Sequence, residues 1–247
     1  LNLASGNTVT VSANTTGGVT FDANDSANDS SITIVLDNDV NSITTAKFET
    51  VTIQSGTNAS LSTGDVSLGG AKATLGGDGD QVLGTVNNAT SLSVTSGGGD
   101  ITLGVVGLGG GSTVETLTAT AANDVTVVAT DVSNDVTLTA TTGTATVNGE
   151  IDVNKGTLTI TGDQVKVAGA IDMNDGNVVL TSTGNDVVLT AAVDTNDQTA
   201  AGSGSITITA ANDITSNSAI SAEGKITIEA GLSLATTGEI STDGNDI

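Results

Sequence analysis

The feature that most constrains this chain is a short repeat of constant length in its C-terminal half. Gly204 and Gly224 lie one repeat apart. The Ile-Thr-Ile pattern after the first glycine, at 206–208, recurs after the second at 226–228. Alternating apolar residues are typical of strands with one buried face, and a strand pattern at a fixed short period is typical of a solenoid. The sequence therefore predicts stacked coils of about 20 residues rather than a globular fold.

The same period continues upstream, with one interruption. Gly156 and Gly176 are separated by the same step, but the step from Gly176 to Gly204 is longer. The surplus falls in the polar run Asp194–Thr199, which predicts a loop that bulges from one coil. Within each coil, corners of Gly, Asn and Asp separate two or three short apolar segments. This spacing predicts about three short sides per coil.

The composition supports an all-β parallel β-helix, or β-solenoid. The chain has 2 Phe, no Trp, no Tyr and no Pro, while hydrophobic residues still make up 36%. Such a chain lacks the aromatic bulk of a globular core, and the absence of proline suits uninterrupted strand ladders. We predict a single solenoid array over residues 1–247. The array is expected to be a segment of a longer protein, because the pattern runs to both ends of the chain.

The N-terminal part is predicted to stack less regularly than the rest. Its candidate strands occur at uneven steps within residues 1–60 and just beyond. They are Val9–Val11, Val19–Phe21, Ile32–Ile34, Val51–Ile53 and Val66–Leu68.

The charge and the inventory of side chains exclude several classes of function. The formal net charge is −23, with only 5 Lys and no His. Binding to nucleic acid or to anionic lipid requires clustered Lys and Arg, so we expect no nucleic-acid partner. No apolar run approaches the ~18 residues that span a bilayer, so we expect no membrane insertion. Without His, Cys or Arg, most nucleophile–base pairs are unavailable, and the chain is predicted not to be an enzyme.

Aspartates are the candidate metal ligands. The motif Asn-Asp-Val/Ile recurs along the chain, as at Asn134–Val136 and Asn212–Ile214. One interpretation is that Asn and Asp form the corners that precede strands. The other is that aspartates of adjacent coils stack into ladders that a cation such as Ca²⁺ bridges. No cofactor is required by the sequence, but calcium is a possible ligand. The candidate calcium residues are Asp22, Asp25, Asp29, Asp37, Asp39, Asp78, Asp80, Asp172 and Asp175.

Paired threonines form a second candidate array. Two threonines flank one inward residue on several strands, so each pair shares the outer face. A flat threonine array can order water and bind ice, but threonine is also simply a favoured outward residue of strands. Ser182, Val188 and Glu229 are predicted to interrupt this array. The threonine pairs are Thr137 and Thr139, Thr159 and Thr161, and Thr207 and Thr209.

The Val/Ile-Thr-Leu/Ile-Thr-Ala units at Val136–Ala140 and Ile206–Ala210 resemble the repeats of filamentous-haemagglutinin-type exoproteins. These are large secreted bacterial adhesins whose repeats form right-handed β-helices. The resemblance implies a right-handed coil, a secreted protein on the bacterial cell surface, and a structural stalk or filament segment of an adhesin. Its partners would be itself, through association end to end or laterally, neighbouring segments of the same protein, or a cell-surface glycan or protein. The alternative function is an extracellular calcium- or glycan-binding module that uses the acidic corners and the Asp194–Thr199 loop.

Overall fold

The computed structural model describes residues 2–3, 7–11, 15–23, 31–36, 40–55, 61–107, 114–195 and 204–242. The chain divides into two compact units, Leu1–Ala122 and Asn123–Ile247. The described residues of both units form β-strands joined by turns. None of the described residues belongs to a helix that could cross a membrane.

Unit 1 contains eleven strands among its described residues. They are β1 Asn2–Leu3, β2 Asn7–Val11, β3 Thr15–Ala23, β4 Ser31–Leu36, β5 Val40–Ala46, β6 Thr50–Ser55, β7 Leu61–Gly77, β8 Gln81–Leu83, β9 Val86–Ser96, β10 Ile101–Val106 and β11 Leu117–Ala121.

Unit 2 contains sixteen strands among its described residues. They are β12 Val125–Val132, β13 Val136–Ala140, β14 Thr144–Val147, β15 Ile151–Val153, β16 Gly156–Gly162, β17 Gln164–Val167, β18 Ile171–Met173, β19 Gly176–Ser182, β20 Val187–Leu189, β21 Val193–Thr195, β22 Ile206–Ala210, β23 Ile214–Ser216, β24 Ile220–Ala222, β25 Ile226–Ala230, β26 Leu234–Thr236 and β27 Ile240–Thr242.

The strands of unit 2 stack in three parallel columns, which confirms the predicted coil with three short sides. One column contains β13, β16, β19, β22 and β25; the next contains β14, β17, β20, β23 and β26; the third contains β15, β18, β21, β24 and β27. Ile206 pairs with Ile226, and Ile220 pairs with Ile240, at the step that the repeat predicted. The fold is therefore the predicted all-β parallel β-solenoid with about 20 residues per turn.

The core of each unit consists mainly of aliphatic side chains from alternate strand positions, and Phe21 and Phe48 are also buried in unit 1. In β16, β19 and β22, Ile160, Leu180 and Ile208 occupy equivalent positions and are each 0% exposed. Like residues thus lie one above another at the strand spacing of about 4.8 Å. This regular stack explains how the chain forms a core with almost no aromatic residues.

The longer step between Gly176 and Gly204 is accommodated without loss of register. Val178 of β19 pairs with Ile206 of β22, and both side chains are fully buried. Asp194 and Thr195 of the predicted Asp194–Thr199 loop belong instead to β21 and pair with β24, so this part of the prediction is wrong. Residues 196–199 lie outside the described residues. The strands on either side of the insertion remain paired, which confirms that the extra residues do not shift the coil.

The strands of unit 1 also pair in parallel, but the number of residues between paired positions varies from coil to coil. The step from Ile32 to its partner Val51 is shorter than the regular step of unit 2, and the step from Leu92 to its partner Leu117 is longer. All five strands predicted for this part of the sequence lie within β2, β3, β4, β6 and β7. The register also shifts within strands, between Thr15 and Gly18 of β3 and between Ser67 and Lys72 of β7. Whether the two units form one continuous array stays a prediction.

The Asn-Asp-Val/Ile motifs form corners, as one of the two interpretations proposed. Asp124 and Asp135 accept hydrogen bonds from the backbone N–H of Thr144 and Thr157, at 2.6 and 2.8 Å. Further along the chain, Asp213 accepts from the backbone N–H of Ser233 at 3.0 Å. Each carboxylate thus satisfies a backbone donor of the following coil. Charge-assisted bonds of this kind are stronger than neutral ones, which explains why Asp precedes so many strands.

Candidate functional site

The outer surface of unit 2 has three faces of different chemistry, one for each column of strands. The hydroxyl face is formed by the outward residues of β13, β16, β19, β22 and β25. The mixed face is formed by those of β14, β17, β20, β23 and β26. The acidic face is formed by those of β15, β18 and β21 together with the end of β12. Because the columns are in register, equivalent residues of successive coils lie side by side on each face.

The acidic face contains four aspartates in register on successive coils. Asp131 pairs with Asp152, Asp152 pairs with Asp172, and Asp172 pairs with Asp194. Outward residues of adjacent parallel strands are about 4.8 Å apart, so the carboxylates form a ladder of like charges. Asp152 lies within this ladder, and its Oδ1 is buried without a hydrogen-bond partner among the described residues.

Burial and the neighbouring carboxylates change the acidity of Asp152. Burial raises the pKa of this carboxyl above its ordinary value of 3.8, and the charges of Asp131, Asp172 and Glu150 raise the pKa further. The protonated form is therefore favoured in the folded chain more than in the unfolded chain. At pH values just above 3.8 the folded chain therefore binds more protons at this carboxyl than the unfolded chain does. The contribution of Asp152 to the free energy of unfolding falls as the pH rises through this range.

We expect Asp152→Asn to stabilise the fold at pH 7 by about 0.5–1 kcal/mol, because it removes like-charge contacts with both neighbouring strands. The effect should vanish near pH 3, where the wild-type carboxyl is protonated. Thermal melting at both pH values, at low salt, measures the difference. Asp175→Asn is the matched control, because it removes the same charge from an exposed residue outside the ladder. A loss of stability in Asp152→Asn at pH 7 would contradict the expectation.

The predicted calcium residues are scattered rather than gathered. Asp25, Asp29, Asp37 and Asp39 lie outside the described residues. Asp22 lies 3.0 Å from the Nζ of Lys47, with which it forms a salt bridge.

The other predicted ligands have separate surroundings. Asp80 accepts a hydrogen bond from the backbone N–H of Asp100 at 3.0 Å. Asp78 borders a surface cleft of unit 1, Asp172 belongs to the acidic face, and Asp175 is exposed. Within the described ranges, no three acidic side chains converge in a way that could hold a metal ion. Calcium binding stays a prediction.

The last described coil of unit 2, β25–β27, presents an apolar edge. Its inward residues Ile228, Leu234 and Ile240 are partly or largely exposed, and Leu234 is 46% exposed. Their partners one coil earlier, Ile208, Ile214 and Ile220, are no more than 1% exposed.

The same aliphatic residues line a groove at this edge. Ile226, Ile228, Leu234 and Ile240 surround a volume of about 380 Å³, with Lys225 and Glu229 at its margin. An open strand edge with an aliphatic groove can pair with a further strand or accept an apolar chain.

One family model matches part of the chain. The model describes the LptA/(LptD N-terminal domain) LPS transport proteins, and the match covers residues 132–231, about two fifths of the chain. The matched residues run from the end of β12 through β25, the regular part of unit 2. No curated protein and no solved structure matches the chain.

This match corrects the family resemblance inferred from the repeats. The resemblance to filamentous-haemagglutinin-type exoproteins is wrong, because the family model that matches is one of LPS transport proteins. The physical reason is that Ile-Thr-Ile-Thr-Ala is the alternation that any stacked parallel coil requires. The pattern therefore identifies the fold but not the family.

The functional predictions that depended on the resemblance change with it. The adhesin stalk and the bacterial cell surface are both wrong, because the matched family transports LPS and is periplasmic in Gram-negative bacteria. The alternative, an extracellular calcium- or glycan-binding module, is wrong about the extracellular location for the same reason. The matched family is non-enzymatic, which confirms that the chain is not an enzyme. Self-association is the part of the partner prediction that agrees with the match.

Proposed function

We propose that the chain is a non-enzymatic segment of a periplasmic LPS transport assembly, which joins further copies end to end and binds acyl chains. The observation that carries this proposal is the match of residues 132–231, the regular coils of unit 2, to the LPS transport family model. Proteins of that family bind LPS and form end-to-end oligomers.

The geometry of the apolar edge supports both activities. The strands of β25–β27 pair with the coil before them, and their inward residues Leu234 and Ile240 remain accessible. A strand added at this edge by a second copy would bury aliphatic side chains, each of which contributes about 1.5–3 kcal/mol when fully buried. An acyl chain of LPS has the apolar chemistry that the same groove accepts.

We expect Leu234→Asp to abolish end-to-end association and to weaken LPS binding, because it places a charge among the aliphatic residues of the groove. Sedimentation velocity measures association, and displacement of a fluorescent LPS measures binding. Ala235→Asp is the matched control, because Ala235 is an exposed neighbour on the opposite face of the same strand. Both variants add one negative charge, so a general electrostatic effect would appear in both.

The two measurements separate the two parts of the proposal. A chain that associates but does not bind LPS would remove the acyl-chain site and keep the end-to-end contact. A chain that is monomeric at all concentrations and does not bind LPS would overturn the proposal. Equal losses in Leu234→Asp and Ala235→Asp would show that the groove is not the site.

A further inference from the structure

The corner that follows the strands of the mixed face recurs on successive coils of unit 2. It joins these strands to β15, β18, β21, β24 and β27. The backbone N–H of Asn148 donates to the carbonyl of Val127 at 2.9 Å, and the backbone N–H of Asn217 donates to the carbonyl of Leu189 at 2.9 Å. The two asparagines therefore occupy the same corner position on different coils, and both are exposed.

The side chain of Asn148 is free of the hydrogen bonds that hold other asparagines of unit 2. Nδ2 of Asn174 donates to Oδ1 of Asn154 at 3.0 Å, and Nδ2 of Asn212 donates to the carbonyl of Gly184 at 3.3 Å. The side-chain amide of Asn148 has no such partner in the part of the chain that the structure describes. Its orientation is therefore not restrained by a hydrogen bond.

The backbone after Asn148 is equally accessible. The N–H of Gly149 has no acceptor among the described residues. A Cβ at this position would collide with the carbonyl oxygen of Val128, so the close approach of the coils requires glycine here. Asn217, in contrast, is followed by Ser218, whose Oγ donates to the carbonyl of Thr190 at 3.0 Å.

An exposed asparagine followed by glycine can react within its own backbone. The nitrogen of Gly149, after loss of its proton, attacks Cγ of Asn148, because the two atoms are adjacent in the chain and glycine has no Cβ to obstruct the approach. A C–N bond forms to Cγ, and the side-chain amide leaves as ammonia. Water then opens the five-membered succinimide ring. Hydrolysis at Cγ leaves aspartate, and hydrolysis at the main-chain carbonyl leaves isoaspartate.

We propose that Asn148 is a site of spontaneous deamidation, at which the folded chain converts this residue to aspartate or isoaspartate with water as the only co-reactant. The inference does not depend on the transport function, because it concerns a corner of unit 2 and not the aliphatic groove. The absence of a Cβ at Gly149 distinguishes this corner from the equivalent corner at Asn217.

The two products have different consequences for the corner. Either product adds a negative charge close to Glu150, beside the acidic face. Isoaspartate also adds one carbon atom to the backbone, where Gly149 and Gly169 of successive coils are in contact. Strand pairing holds the backbone on both sides of this contact. The longer backbone must therefore separate the coils locally, and the isoaspartate form should melt at a lower temperature than the unmodified chain.

The experiment is incubation of the purified chain in mildly alkaline buffer made with water enriched in the heavy oxygen isotope, followed by peptide mass spectrometry. We expect progressive loss of the unmodified peptide that contains Asn148, and its replacement by products that carry the heavy oxygen. The peptide that contains Asn217 should keep its asparagine. Asn217 is the internal control, because its exposure and its backbone hydrogen bond match those of Asn148. Electron-transfer fragmentation distinguishes aspartate from isoaspartate.

Two variants separate the chemistry from its consequence. Asn148→Gln keeps the amide but places its carbon one atom farther along the side chain, so it should remain unmodified over the same incubation. Asn148→Asp has the added charge without the longer backbone. Incubated wild-type chain should melt below Asn148→Asp, and equal melting temperatures would contradict the strain expected from isoaspartate.

Circular dichroism during the incubation shows whether the chain remains folded. Retention of Asn148 in the folded wild-type chain would overturn the proposal, as would conversion that occurs only in denaturant. Equal conversion of Asn148 and Asn217 would overturn it as well, because the corner at Gly149 would then have no special reactivity.

Discussion

Leu180→Ala is expected to lower the free energy of unfolding of unit 2 by about 2–5 kcal/mol, the range for a buried leucine replaced by alanine. Leu180 is fully buried and lies between Ile160 of the coil before it and Ile208 of the coil after it. The truncation therefore removes contacts with two coils and leaves a cavity inside the stack. Urea denaturation followed by circular dichroism at the β-strand band measures the change.

Thr181→Ala is the matched control, since Thr181 is the adjacent, half-exposed residue on the outer face of the same strand. Its replacement removes no core contact and should change the free energy of unfolding by less than about 1 kcal/mol. In a repeat protein each coil contacts its neighbours, so the cavity should destabilise the adjacent coils first. Equal effects of the two substitutions would contradict a core formed by inward stacking.

The fold was predictable because the repeat encodes both the strand and its partner. Alternation shows that Ile206 and Ile208 face inward, and the constant step places Ile226 and Ile228 above them. Unit 1 shows where this reasoning weakens. Its steps vary between coils, as from Leu92 to its partner in β11, so the sequence shows its strands but not their registers.

The acidic face was not predictable from the density of charge. The calcium prediction selected short runs with several aspartates, whereas Asp131, Asp152 and Asp194 come together only through the stack of coils, in the kind of ladder that the sequence analysis proposed for the Asn-Asp corners. Asp172 was selected, but for its neighbour Asp175 rather than for its partners across the coils. Contacts between coils depend on exact registers, and the insertions that follow β19 and β13 change those registers.

The family was not predictable from the repeat for a related reason. Residues that face inward or outward in a stacked coil are restricted by the coil itself, so Ile206–Ala210 carries little information beyond the fold. A sequence pattern that is the same in every coil cannot distinguish a covered coil from an open one.

Gly169→Ala is expected to destabilise unit 2 by about 1–3 kcal/mol or more, the range for overpacking in a well-packed structure. Gly169 lies at the corner between β17 and β18, directly over Gly149 of the preceding coil. A Cβ at this position would collide with the carbonyl group of Gly149 and lie 2.6 Å from its Cα. Backbone atoms on both sides are held by strand pairing, so the two coils would have to separate at this corner.

Gly184→Ala provides the matched control at another corner of the same unit. A Cβ at residue 184 would meet the carboxylate of Asp163, the end of a side chain that can rotate away with adjustment of the hydrogen bond that it accepts from Nδ2 of Asn185. Alanine also reduces the entropy of the unfolded chain relative to glycine, which favours the folded state by about 0.4–1 kcal/mol. Gly184→Ala should therefore be neutral or slightly stabilising in urea denaturation. If Gly169→Ala were equally neutral, the coils would not be in the close contact at Gly149 that the three-column stack requires.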